Sequence, residues 1–269
     1  MDVQEMNQYE DLEECAKRIR AKCVQMSHDS GEGHLNGALS CVDILVALHK
    51  IFLRPDDRFY FSKGHCCAAL YATYAEMGYI PKEWLDSYAT PGSPLTPHPD
   101  IHTLPLLGMS AGSLGHGLGM AAGAAYALKQ KDSSAHCVVL MGDGECNEGS
   151  VWEAAQFAVA NHLDNLIVIV DYNRVQSVGR TDDISGDTWL EDKFKAFGWE
   201  SKPVNGHNCQ SVINNLTIKP YPLKLPLALI AYTVSGKGVS FMEGNDSALW
   251  HYRVPNEEEV RLALEELNA

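Results

Sequence analysis

The 269-residue sequence has no apolar run near the roughly eighteen residues that a membrane-spanning helix requires. It has little positive charge: 21 Lys and Arg stand against 35 Asp and Glu, a formal net charge of −14. Phosphate backbones need a basic surface, so nucleic acid is not an expected partner. The same balance repels an anionic small molecule, and the cations to hold one have to come from elsewhere. Metal-type cysteine spacing is missing as well. The eight cysteines (Cys15, Cys23, Cys41, Cys66, Cys67, Cys137, Cys146, Cys209) form no C-x-x-C pair, and adjacent Cys66 and Cys67 are badly placed to ligate one metal. Buried, reduced thiols are the expectation, and nothing marks Cys146 as a nucleophile. Repeats, low-complexity tracts and linkers are also absent, so one domain spanning residues 1–269 is expected. The acidic start reads as neither a signal nor a transit peptide, and a cytoplasmic location is expected.

What is present is an ordinary globular composition, 45% hydrophobic and 21% charged, long enough for one large α/β core. The stretch from His136 to Gln176 organises it. Val138-Val139-Leu140-Met141 reads as a buried strand and runs into Gly142-Asp143-Gly144. Val151, Ala154, Ala155, Ala158 and Val159 follow at helical spacing. A second strand, Leu166 to Val170, then ends at Asp171-Tyr172-Asn173. Strand, helix and strand of this length predict a right-handed crossover, with both strand tips at the ligand-binding edge of a parallel sheet. Asp143 and Asn173 therefore converge. The glycines let a ligand approach the backbone, and the helix behind them presents its positive end to an anion. A bare carboxylate repels a diphosphate, but a small divalent cation held by Asp143, Asn173 and the phosphates removes the conflict. An ordinary nucleotide-fold turn, with Asp143 incidental, is the alternative. A nicotinamide site wants G-x-G-x-x-G, a spacing that GDGECNEG lacks.

An acid in G-D-G, followed about thirty positions later by Asn at a strand end, resembles the thiamine diphosphate signature. From about Asp29 to Asn256 the chain is similar to the amino-terminal, diphosphate-binding half of transketolase. The resemblance implies a parallel-sheet α/β thiamine diphosphate-binding fold with helices on both faces. It implies that Asp143, Asn173 and the backbone carbonyl of Val175 hold Mg²⁺ or another divalent cation such as Ca²⁺. Gly144 then touches the diphosphate, with Glu145 in the same loop and Gln176 near the thiazolium.

The rest of the chain adds histidines in glycine- and proline-rich settings. Residues 9 to 27 read as a packing helix, and the glycine-rich DSGEGHLNGALS then presents His34, resembling the family's S-G-x-G-H loop. Residues 41 to 53 read as a second amphipathic helix. A short strand runs into Ser62-Lys63-Gly64-His65, which matches the family's S-K-G-H; its His contacts cofactor and substrate. His98, between Pro97 and Pro99 in a loop without periodicity, resembles the donor-contacting His of G-H-P-E. Gly112-Ser113-Leu114-Gly115-His116-Gly117 opens a helix of small residues, and in relatives this turn lies against the cofactor, with His116 a further contact. A loop and a helix follow Gln176, then a strand from Glu200, a helix over 209–218 and a strand over 227–234. That strand ends at Ser235-Gly236-Lys237-Gly238, where relatives use a Lys near the diphosphate; Lys237 is the candidate, since Ser235 stands in that Lys's place. His251 resembles the His of W-H-G, with Tyr252 replacing the glycine. A last helix is predicted over 257–267.

The resemblance implies ketol transfer: a two-carbon unit leaves an anionic ketose and joins an aldose, with thiamine diphosphate as the electron sink. His34, His65, His98 and His251 are the expected proton handlers, since an imidazole titrates near working pH. Glu148 resembles a glutamate at subunit contacts. The family's activating glutamate, aromatic cofactor pocket and basic substrate anchors belong to its next domain. A split enzyme is therefore expected, with a carboxy-terminal transketolase polypeptide as partner in an α₂β₂ assembly. A deoxyxylulose-phosphate synthase, a 2-oxo acid dehydrogenase component, a nicotinamide oxidoreductase and a non-catalytic binding protein stand as alternatives.

Overall fold

The computed structural model describes residues 3–186, 189–217, 224–243 and 247–268. Five strands form one sheet: β1 (Arg58–Phe61), β2 (Cys137–Gly142), β3 (Leu166–Tyr172), β6 (Glu200–Asn205) and β7 (Leu227–Tyr232). They lie in the order β1-β2-β3-β7-β6, and every pairing is parallel. A small antiparallel ribbon, β4 (Val175–Gln176) with β5 (Gly179–Arg180), stands apart. The three central strands are continuous apolar runs because both faces of the sheet are covered.

Alternation along the strands divides the interior into two cores. Val138 and Leu140 of β2, with Ile167 and Ile169 of β3, face one side. Packed there are α1 (Val3–Ser30), α2 (Leu35–Ser40), α3 (Val42–Ala47), α4 (Cys67–Glu76), α9 (Cys209–Thr217) and α10 (Glu257–Leu267). Val139 and Met141, with Val168 and Val170, face the other side. That side carries α5 (Gly117–Gln130), α6 (Gly149–Ala160) and α8 (Leu190–Ala196). All eight cysteines are free and buried. Among the described residues no helix is long and apolar enough to cross a membrane.

Three local expectations need adjustment. The helix predicted over 41–53 is broken: α2 starts earlier, the chain bends at Cys41, α3 ends at Ala47, and Leu48–Phe52 closes as a π-turn. Ser40 and Asn36 spend their side chains on local and tertiary hydrogen bonds, which competes with a straight helix. The stretch after Gln176, read as a loop before its helix, also holds β5, which pairs back onto β4, and a short helix, α7 (Thr181–Ser185). The strand predicted over 227–234 stops at Tyr232, because Thr233 and Val234 turn to other partners. Helix α9 reaches Thr217; the expected last residue, Ile218, lies outside the described residues.

Candidate active site

The parallel sheet delivers the tips of β1, β2, β3 and β7 to one edge, where a cleft of about 440 Å³ opens. From β2 and the turn after it come Gly142, Asp143, Gly144 and Glu145. Asn173, Val175 and Gln176 come from the end of β3 and from β4. Gly144 lies close to Gln176: a Cβ there would sit 3.1 Å from Gln176 Cγ, so that side chain would have to give way. Gly112 and Leu114 form the wall beside His98.

Asp143 is 2% exposed. Burial pushes its carboxyl up to about 6, against a hydrogen bond from Thr181 Oγ1 at 2.6 Å that favours the charged form. Nearby Asp171 raises it further. Asn173 accepts from Val175 N at 3.0 Å through Oδ1 and donates to Ser40 Oγ at 3.1 Å, so its amide is held with the oxygen toward the ribbon. Glu145 is also buried; desolvation pushes it up to about 7, opposed by bonds from Ser62 Oγ and from Gly115 N at 2.8 Å.

Beneath the floor lies a second carboxylate that sequence reasoning missed. Asp171 is fully buried and receives Lys63 Nζ, Ser40 Oγ (2.6 Å) and Thr233 Oγ1. Lys63 is buried too; desolvation lowers its pKa, but the neighbouring Asp171 outweighs this and raises it, so the ammonium keeps its charge. A signal existed: a charged residue closing the run LIVIVDY has to find a partner once buried. Its partner could not be read off, because 108 positions separate the two.

Four imidazoles, His34, His65, His98 and His251, also line the cleft. His34 lies 4.7 Å from His251, 5.4 Å from His65 and 6.5 Å from His98 between ring centroids. Burial lowers the pKa of His34, brings His251 down to about 4, and with Lys63 drives His65 well below its ordinary value. These three rings are neutral at pH 7 and can each donate and accept one hydrogen bond. His34 starts α2 in the left-handed region (φ 64°), held there by its N–H donating to His251 O at 2.8 Å. Gly33 permits that approach; a Cβ there would sit 2.9 Å from Tyr252 O.

Not every candidate faces the cleft. Ser113 is exposed beside it, Lys237 lies 3.6 Å from Glu243, and His116 sits on an outer groove between α5 and α6. Glu148 does line the cleft. Asn36 and Asn147 line it as well and were not foreseen as contacts.

The residues present fit a hard cation. Among the described residues no cluster of three His, Cys, Asp or Glu could hold a metal, so a cation here would lean on Asp143 and neutral oxygens. That donor set suits Mg²⁺ or Ca²⁺ and phosphate. The cleft carries three carboxylates, Asp143, Glu145 and Glu148, and a single lysine that Asp171 already offsets. An anionic coenzyme needs an added positive charge there.

A parallel sheet with such a cleft at its strand tips defines a coenzyme-binding α/β protein. Residues 12–267 match the family described as transketolase, thiamine diphosphate binding domain. The chain is 42% identical to an apulose-4-phosphate transketolase subunit of Actinobacillus succinogenes, over 96% of both chains. It is 37% identical to the 6-deoxy-6-sulfo-D-fructose transketolase subunit SqwG of a Clostridium species, over 87% of this chain and 88% of that one. The solved transketolase of Campylobacter jejuni superposes with a TM-score of 0.79 at 26% identity, covering all of this chain but 47% of the other. The chain thus spans about half the length of that transketolase. It belongs to the transketolase thiamine diphosphate-binding family and is one subunit of a ketol-transferring enzyme. The synthase, dehydrogenase, nicotinamide and non-catalytic readings are not favoured.

Proposed function

We propose that this chain is the diphosphate-holding subunit of a split transketolase, completed by a second polypeptide with the pyrimidine-binding half, in an α₂β₂ assembly. The observation that carries the reading is Asp143: a buried carboxylate raised by desolvation, lining the same cleft as Asn173. In this reading Asp143, Asn173 and the Val175 carbonyl hold Mg²⁺ or Ca²⁺. Gly144, Glu145, His65 and His251 lie toward the cofactor, with the Gly112–Leu114 turn and Gln176 on its flanks and Lys237 outside the cleft walls. The two cores on one sheet support a single domain over residues 1–269. The cytoplasm is the proposed compartment.

Thiamine diphosphate, when bound, supplies the nucleophilic carbon and the electron sink for a two-carbon unit. The chain's own part is orientation and proton handling. Neutral His34, His65 and His251, with His98, can donate to a sugar hydroxyl or oxyanion at one nitrogen and take a proton at the other. The relatives' names carry a phosphorylated ketose in one case and a sulfonated one in the other. An anionic ketose is the proposed donor here, its charge held by the partner, since this chain's cleft is acidic.

The test is titration of thiamine diphosphate, with and without Mg²⁺, into the chain combined with the product of the neighbouring reading frame, followed by a donor screen. Saturable, metal-dependent binding and ketol transfer by the pair are expected. Full transfer by this chain alone, or metal-independent NADH binding, would refute the proposal.

A further inference from the structure

Behind the cleft, beyond β7, three polar side chains meet in the core. Arg20 of α1 and Asp43 of α3 are each 5% exposed, and His207 comes from the loop between β6 and α9. Both Asp43 oxygens receive the Arg20 guanidinium, whose Nε also donates to Leu39 O at 3.2 Å. Asp43 Oδ2 lies 2.7 Å from His207 Nδ1. On the other side of the ring, Val234 N–H donates to His207 Nε2 at 2.8 Å. That bond settles the tautomer: Nε2 accepts, so Nδ1 carries the proton and donates to Asp43.

None of the three lines the cleft. A buried ion pair adds little net stability over an apolar replacement, so what this triad supplies is orientation. Its output is the Val234 amide, and the residues around that amide reach the site. Thr233 Oγ1 bonds Asp171, the carboxylate that holds Lys63 and Ser40. Gly236 N donates at 3.0 Å to the carbonyl of Asn36, a cleft residue. The turn has no slack: Gly236 sits at φ 76°, and a Cβ there would lie 2.5 Å from Met242 O.

We propose that His207 is a positioning residue: strung between Asp43 and Val234, it sets the 233–236 turn and, through it, the Asp171–Lys63 floor and the Asn36 wall of the cleft. This rests on the reading of that cleft as the coenzyme site.

The two bonds of the ring can be separated. His207→Asn puts an amide nitrogen where Nδ1 was, keeping the Asp43 contact and losing the acceptor for Val234. His207→Gln extends an amide oxygen to the place of Nε2, keeping that acceptor and leaving Asp43 to Arg20. In the chain combined with its partner subunit, three quantities are measured: thiamine diphosphate affinity with Mg²⁺, hydrogen exchange at Val234, and melting temperature. H207N is expected to weaken cofactor binding about three- to tenfold and to speed Val234 exchange, melting near the wild type. H207Q is expected to stay within about twofold of wild type in affinity and exchange. Wild-type cofactor affinity in H207N overturns the proposal, as does an equal loss of affinity and melting temperature in both variants. If the wild-type chain binds no thiamine diphosphate, the coenzyme reading fails by itself, and Val234 exchange still decides whether His207 holds the turn.

Discussion

Asp143 concentrates the electrostatic problem of the site in one carboxyl. Burial pushes it up to about 6 and Asp171 adds to the rise, so below about pH 6 a cation that binds there displaces a proton. Replacing Asp143 with Ala is expected to cost at least about a hundredfold in Mg²⁺-dependent cofactor affinity, measured by calorimetry on the reconstituted pair. Undiminished affinity would take Asp143 out of the metal site. His34→Ala and His251→Ala are each expected to cut turnover by roughly a hundredfold or more, and steady-state rates at saturating cofactor check this. A different histidine bears on pH. His49, packed against Phe59, Tyr74 and Tyr79, is brought down to about 4 by burial. The unfolded chain takes that proton near 6.5 and the folded chain only near 4, so stability is fully present above 6.5 and is lost as pH falls between those values. His49→Phe removes that contribution, on the order of 2–3 kcal/mol. Urea melts at pH 7 and pH 4.5 should show a smaller difference in the variant. At this scale Asp143, Asn173, His34, His65 and His98 were legible because glycine, proline or a strand end marks each of them, whereas His251 was legible only through the resemblance of Trp250-His251 to the family's W-H-G. Asp171 and Lys63 were not, since their partnership exists only once β1 and β3 lie two strands apart in one sheet.

Among the elements, the junction between α1 and α2 governs the imidazole wall. Gly33 lets that loop lie against the backbone of His251 and Tyr252, and the bond from His34 N to His251 O closes the contact. Gly33→Ala inserts a methyl group 2.9 Å from Tyr252 O, a clash with backbone rather than with a mobile side-chain tip. A loss of about 1–3 kcal/mol in stability is expected, together with reduced turnover as His34 and His251 separate. Thermal melts and assays of the reconstituted pair measure both; an unchanged variant would mean that the junction yields freely. Strands and long helices were readable because apolar period and length agree at 137–142, 149–160 and 166–172. The break at Cys41 and the π-turn at Leu48–Phe52 were not readable. Apolar periodicity continues through them, while the cause lies in tertiary bonds from Ser40 and in the strained entry at His34.

The whole molecule presents an open, acidic cleft. Next to the lining residues Ser177 and His251, Val178 and Tyr252 leave apolar surface in solvent, at 81% and 62% exposure. Such surface suits a covering partner. The chain alone is expected to lack ketol transfer, which an assay with and without the second polypeptide checks. In the pair, thiamine diphosphate and Mg²⁺ at about a hundred times the dissociation constant should add about 2.7 kcal/mol. That corresponds to a rise of roughly 5–10 °C in Tm, reversed by a chelator. A melting temperature indifferent to both ligands would argue against the coenzyme site.

The sequence by itself determined the parallel α/β class, the crossover that brings Asp143 toward Asn173, and the glycine-rich loops that present His34 and His65. These depend on local period, length and turn chemistry, which neighbouring residues settle among themselves. Only the tertiary structure decided which carboxylate neutralises Lys63, why three imidazoles lose their charge, and how Arg20, Asp43 and His207 come to hold the turn after β7. Those outcomes depend on burial and on contacts between distant segments, and neither exists until the sheet has been assembled.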